Sequence, residues 1–163
     1  MNSISELRRI LGTCRTIAIV GLSPQWHRPS FFVAKYAQAH GYRIVPVNPS
    51  AQEILGEPCY PSVTAAAAAL SKQGQAIDMV DCFRRTEDIL PIADEAIAIG
   101  AKCLWQQIGV VNEEAAAKAS AAGLDAVMNR CVKIEHARLF GGLNWAGVNT
   151  KVISSRRPQQ LPY

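Results

Sequence analysis

Between Gly21 and Ser30 the sequence reads GLSPQWHRPS, which brings the hydroxyls of Ser23 and Ser30 close to the guanidinium of Arg28. Pro29 has the fixed φ favoured in a first helical turn, so the backbone N–H groups of a helix start should lie beside them. Hydroxyls, N–H groups and a permanent cation converging on one point attract phosphate. A second cationic pair, Arg84 and Arg85, follows the apolar run Ile77 to Phe83. A third candidate is Val47-Asn48-Pro49, where an apolar wall and one polar edge could flank a nucleotide base; the same residues also make an ordinary turn.

The dinucleotide fingerprint GxGxxG is present only in its first glycine, Gly21, with Ser23 where the second would stand. A nicotinamide site also calls for an acidic residue after the second strand to hold the ribose hydroxyls, and the chain offers Asn48 there. An NAD(P)- or other nucleotide-dependent enzyme using the same crevice is therefore the second reading, behind a different anionic nucleotide. His27, His40 and His136 do not recur at ligand spacing, so neither a metal site nor a catalytic triad is assigned. Gln106 ends an apolar segment, where its carboxamide would either bond a ligand amide or cap local backbone. Cys131 is either a small packing residue or a thiol within reach of a thiol ligand.

The elements that must position these groups alternate. Thr16 to Val20 is β-branched and apolar almost throughout, as in a strand buried on both faces, and Gly21 ends it. Ser3 and Glu6 have capping-box spacing ahead of Ile4, Leu7, Ile10 and Leu11, which predicts a helix covering the sheet. Phe32, Val33, Tyr36 and Ala37 predict a helical stripe that stops at Gly41, followed by a strand over Tyr42 to Val47. Pro58 to Tyr60 is expected to form an edge strand, and Ala65 to Leu70 a short helix. Ile77 to Phe83 is the third buried strand, and Thr86 is expected to cap a helix that runs to Gly100. Lys102 to Trp105 and Asp125 to Met128 are further strands, separated by a helix that Asn112 caps. Val132 to Leu139 is a last helix.

These alternations predict an α/β protein: a doubly wound, Rossmann-like parallel sheet of five strands in one domain, with helices on both faces. With strand order 2-1-3-4-5, the winding reverses between the first and third strands, and Gly21 to Ser30 would face Phe83 to Arg85 across one crevice. Residues 1–140 are expected to form the domain, with 141–163, ending in RRPQQLPY, as a partly disordered extension.

Composition narrows the function classes. Lys and Arg exceed Asp and Glu by 17 to 13, a net charge of +4 spread along the chain without an aromatic-and-basic ladder, so nucleic acid is not an expected partner. Five cysteines with no CxxC pair argue for a reducing cytoplasm. No apolar run approaches the ~20 residues that cross a bilayer, so no membrane role is expected.

The blocks IVGLSPQWHRPS, GYRIVPVNP, EILGEPCYPSV, IDMVDCFRR, GAKCLWQQIGVVNEEAA and NRCVKIE occur in that order from Ile17 to Glu135. Together they resemble the small stand-alone CoA-binding proteins, which are similar to the CoA-binding domain of succinyl-CoA synthetase α subunits and of NDP-forming acyl-CoA synthetases. The combination of RPS, PVNP, the Phe-Arg pair and WxQxG is more specific than any one block. The resemblance implies that Gly21, Leu22 and Ser23 with Arg28 hold the CoA phosphates and that Val47, Asn48 and Pro49 border the adenosine. It further implies that Phe83, Arg84, Gln106 and Gly109 line the remaining wall. The chain departs from the pattern at Asn129, where an acidic residue is expected, and after Leu139. The synthetases use further domains that 163 residues would not hold, so the expectation is a protein that binds CoA or an acyl-CoA without a complete catalytic apparatus. A partner enzyme or a second copy of the chain is compatible with that role.

Overall fold

The computed structural model describes residues 2–141; the expected C-terminal extension lies outside them, apart from its first residue. Five strands, β1 (Thr16–Val20), β2 (Arg43–Val47), β5 (Met79–Cys82), β6 (Cys103–Gln106) and β7 (Asp125–Val127), pair in the order β2-β1-β5-β6-β7. Every pairing in this sheet is parallel, and the order is the predicted one. A separate antiparallel pair, β3 (Glu53–Ile54) and β4 (Glu57–Pro58), turns through Leu55 and Gly56, both at positive φ, as a tight hairpin requires. Where an edge strand is predicted near Pro58 to Tyr60, Pro58 belongs to the hairpin strand β4, and Tyr60 bridges Val47 of the main sheet in parallel.

The six α-helices of the described residues cover the two faces. Strand residues alternate between them: Ala18, Val45, Val80 and Leu104 pack with α3 (Val63–Ser71), α4 (Ile89–Ala98) and α5 (Glu113–Ala121). Ile17, Ile44, Met79 and Trp105 pack with α1 (Ile4–Thr13), α2 (Pro29–Ala39) and α6 (Val132–Phe140). Period-two alternation on strands buried on both sides thus produces two cores.

The helix starts follow their local chemistry. Ser3 and Glu6 complete the capping box of α1, Ser62 accepts from Ala65 N at the start of α3, and Asn112 accepts from Ala115 N at the start of α5. Thr86 does not cap α4: Thr86–Asp88 form a 3-10 turn, α4 begins at Ile89, and the Thr86 hydroxyl instead accepts from Val111 N at 3.2 Å. On α2 the buried stripe is Val33, Ala34 and Ala37, while Phe32 is half exposed. The predicted stripe is rotated because Ser30 and Ala34, not Phe32, face the sheet.

Candidate functional site

The site is built where three strand ends separate. Gly21 N donates to Val47 O at 2.9 Å, and Phe83 N donates to Val20 O at 2.8 Å, so β1 is tied to β2 on one side and to the end of β5 on the other. Gly21 has φ +84°, and a Cβ placed there would lie 2.5 Å from Phe83 O. Both the backbone conformation and the close approach therefore demand glycine.

From Gly21 the chain loops into α2, and side chains hold the loop. Ser23 N donates to Ser30 Oγ at 3.0 Å, Gln25 N donates to Ser23 Oγ at 3.1 Å, and Arg28 Nε donates to Gln25 Oε1 at 3.2 Å. Each hydroxyl accepts from the backbone and keeps its own proton to donate. Arg28 is the residue before α2, with Pro29 at the first helical position as predicted, and it is exposed. These groups, with Gly21 and Phe83, line a cleft of about 370 Å³.

A larger cleft of about 470 Å³ adjoins it, sharing Gly21 and Phe83, and is bordered by Val47, Asn48, Pro49 and Arg84. The Arg84 guanidinium is half exposed and reaches Asp88 at 3.3 Å, a surface ion pair of small net worth that a better anion could displace. Asn48 is a brace: its Nδ2 donates to Leu22 O at 2.9 Å and its Oδ1 accepts from Ser50 N at 2.8 Å. The turn reading and the cleft reading of Asn48 therefore coexist, since the amide that shapes the turn also borders the cleft.

Three residues singled out in the sequence do not reach either cleft. Leu22 is wholly buried in the core beneath α2. Gln106 is wholly buried, and both ends of its amide are engaged by Asn112: Nε2 donates to the Asn112 carbonyl at 3.0 Å and Oε1 accepts from Asn112 N at 2.7 Å. Its carboxamide joins the end of β6 to the start of α5, which is the capping alternative. Gly109, at φ +84°, donates its N–H to Asn129 Oδ1 at 2.9 Å. Asn129 itself has φ +54°, a region asparagine tolerates well.

The adjacent Gln107, also buried, donates through Nε2 to both carboxylate oxygens of Asp81, at 2.7 and 3.0 Å. Asp81 is fully buried within β5, and burial pushes its carboxyl up to about 7, against the lowering effect of Gln107 and the Cys82 backbone. Cys131 is partly buried against the core at the start of α6, and burial, opposed by local backbone N–H groups, raises its thiol above the ordinary range. Among the described residues no group of three or more His, Cys, Asp and Glu side chains could hold a metal ion. None of the described helices is long and apolar enough to cross a membrane.

The sequence reading missed the far wall of the larger cleft, made by Pro61, Ser62 and Val63 at the start of α3 and by Glu87 and Glu95 beside and within α4. A signal existed for the first: a helix that follows a strand in a parallel sheet starts at the strands' carboxyl end, and Ser62 ahead of the alanine run is a recognisable cap. Glu95 had none, because it reaches the cleft only through the packing of α4 against α3.

Comparison with known proteins places the chain. Residues 15–137 match the model of a CoA binding domain, and the chain belongs to that family. It is 38% identical over 135 residues, covering 83% of this chain and 95% of the relative, to the uncharacterized protein YneT of Bacillus subtilis (strain 168). A solved structure of a hypothetical protein from Pyrococcus horikoshii OT3 is similar at 40% identity with a TM-score of 0.78, covering 86% of this chain and 94% of that one. The fold also recurs in the dinucleotide forming acetyl-coenzyme A synthetase 1 of Ca. Korarchaeum cryptofilum. There the TM-score is 0.58 at 21% identity, over 74% of this chain but only 27% of that one.

Proposed function

We propose that the chain binds coenzyme A or an acyl-CoA across the two adjoining clefts at the carboxyl ends of the strands, as a binding protein without a catalytic apparatus of its own. The observation that carries this reading is the junction at Gly21 and Phe83, where a side-chain-free turn opens both clefts between Arg28 on one side and Arg84 on the other. Family membership supplies the ligand class. In this reading Gly21, Ser23, Arg28 and Ser30 hold the diphosphate, Val47, Asn48 and Pro49 border the adenosine, and Phe83 and Arg84 stand between them. Leu22 supports the wall from behind through its carbonyl, which accepts from Asn48 Nδ2.

The geometry favours CoA over NAD(P). The residue after β2 is an amide whose two ends are already bonded to Leu22 O and Ser50 N, so it offers no carboxylate to a ribose diol. Native mass spectrometry of the purified protein, with calorimetric titration of CoA and NAD, tests the proposal. Retained CoA, or a dissociation constant for CoA well below that for NAD, is expected. Equal or tighter binding of NAD would instead support a dehydrogenase.

A further inference from the structure

Arg84 is the guanidinium of the larger cleft and stands at its Gly21 edge, its Cδ 3.0 Å from where a Cβ on Gly21 would be, with Asp88 beside it at 3.3 Å. Glu95, one of the cleft's other carboxylates, lies further along α4. Glu95 Oε2 accepts from both Thr64 N at 2.7 Å and Thr64 Oγ1 at 2.8 Å. Its Oε1 has no partner among the described residues. Two donors from one residue on one oxygen fix the carboxylate, so the other oxygen is a preorganised acceptor, not a freely rotating surface charge. Val47, Pro49 and Ile92 supply apolar wall for a flat ring in the same cleft.

We infer that Glu95 reads the exocyclic amine of a purine in this cleft and so orients the nucleotide. The inference rests on the CoA reading above. A carboxylate oxygen accepts a hydrogen bond from an amine and repels a phosphate, while a guanidinium does the reverse. An adenosine 3′-phosphate entering the cleft is thereby aligned, with its amine at Glu95 and its phosphate at Arg84. A guanine, which presents a carbonyl oxygen at the corresponding ring position, would set acceptor against acceptor and be rejected.

The test compares CoA with its etheno derivative, in which a two-carbon bridge removes both protons of the exocyclic amine, on the intact chain and on Glu95→Gln. In the variant the amide oxygen can keep both Thr64 donors, which preserves the start of α3 and turns an NH₂ group toward the cleft. The natural chain should bind CoA on the order of tenfold more tightly than etheno-CoA, as expected for a hydrogen bond to a charged acceptor. Glu95→Gln should lose that preference: CoA weakens by roughly tenfold while etheno-CoA changes by less than about twofold. Equal losses for both ligands, or no loss for either, would overturn the role of Glu95 and leave CoA binding standing. A natural chain that binds neither ligand would overturn the CoA reading and this inference with it.

Discussion

The amino end of the parallel sheet and the clefts at its carboxyl end use their charges in opposite ways. At the amino end, Asp78 accepts from Arg15 N at 2.8 Å and Thr16 N at 3.1 Å and pairs with Lys102 at 2.7 Å. At the same end Arg9 grips Asp125 with two bonds of 2.9 and 2.7 Å. At the carboxyl end, Arg28 has one bond of 3.2 Å to Gln25, and Arg84 has one of 3.3 Å to Asp88. Charges that close their bonds within the chain hold the strands in register; those left loosely engaged remain available to a ligand. Substitutions at the amino end should therefore register in stability, and those at the carboxyl end in binding.

The largest effect should come from Gly21, where the carboxyl end is most tightly packed. Gly21→Ala places a Cβ 2.5 Å from Phe83 O at a positive φ, so it should cost about 3–5 kcal/mol in chemical denaturation and abolish CoA binding in the same protein. A variant of normal stability would show that the close approach of Gly21 to Phe83 is not required, and the junction between the clefts would lose its basis.

Next is Asp81, which lies between the two ends. Its carboxyl is raised to about 7 by burial, so the unfolded chain releases this proton near pH 4 while the native chain keeps it. Its contribution is full below pH 4 and is lost as pH rises toward 7. Asp81→Asn keeps an acceptor for Gln107 and should flatten that decline, making the variant more stable than the natural chain at pH 8 by on the order of 3 kcal/mol. Urea titrations from pH 4 to 8 measure it, and parallel curves for the two proteins would count against a buried neutral acid.

Asp78 should show the opposite sign. Burial pushes its carboxyl up, but Lys102 and the N–H groups of Arg15 and Thr16 outweigh burial and hold it below the usual value. Its stabilisation is present above the unfolded pKa and lost as pH falls. Asp78→Ala should cost about 2 kcal/mol at neutral pH, less in acid, with CoA affinity unchanged by calorimetry.

The contrast between the ends also explains what could be read in advance. The sheet order and β1 with its turn were legible because an apolar β-branched run, a glycine and a proline at a helix start are local signals. The caps at Ser3 and Asn112 were legible for the same reason. Gln106 and Gln107 were not separable: they are neighbouring amides at a strand end, and only the packed structure shows one bonding the start of α5 and the other a buried acid. Thr86 has a cap's chemistry, but it opens a 3-10 turn, and the cap position of α4 falls two residues later, at Asp88. The far wall of the larger cleft depends on α3 and α4 meeting, a contact that neither sequence segment announces.

The smallest change in stability, and the sharpest test of the contrast, belongs to the two arginines. Arg28 and Arg84 are exposed enough that their present partners, Gln25 and Asp88, contribute little. Alanine at either position should leave the denaturation midpoint nearly unchanged. If these guanidinium groups meet phosphate, each provides a charge-assisted bond of about 1.5–3 kcal/mol, so each substitution should weaken CoA roughly tenfold to hundredfold. The two should also respond differently to ligand truncation. Arg28 borders the smaller cleft, so its substitution should cost as much with dephospho-CoA as with CoA and nothing with pantetheine. Arg84 borders the larger cleft, so part of its cost should disappear once the 3′-phosphate is removed. Calorimetry on both variants with the three ligands decides it, and unchanged affinity for intact CoA in both would show that the loosely held charges of this end serve no anion.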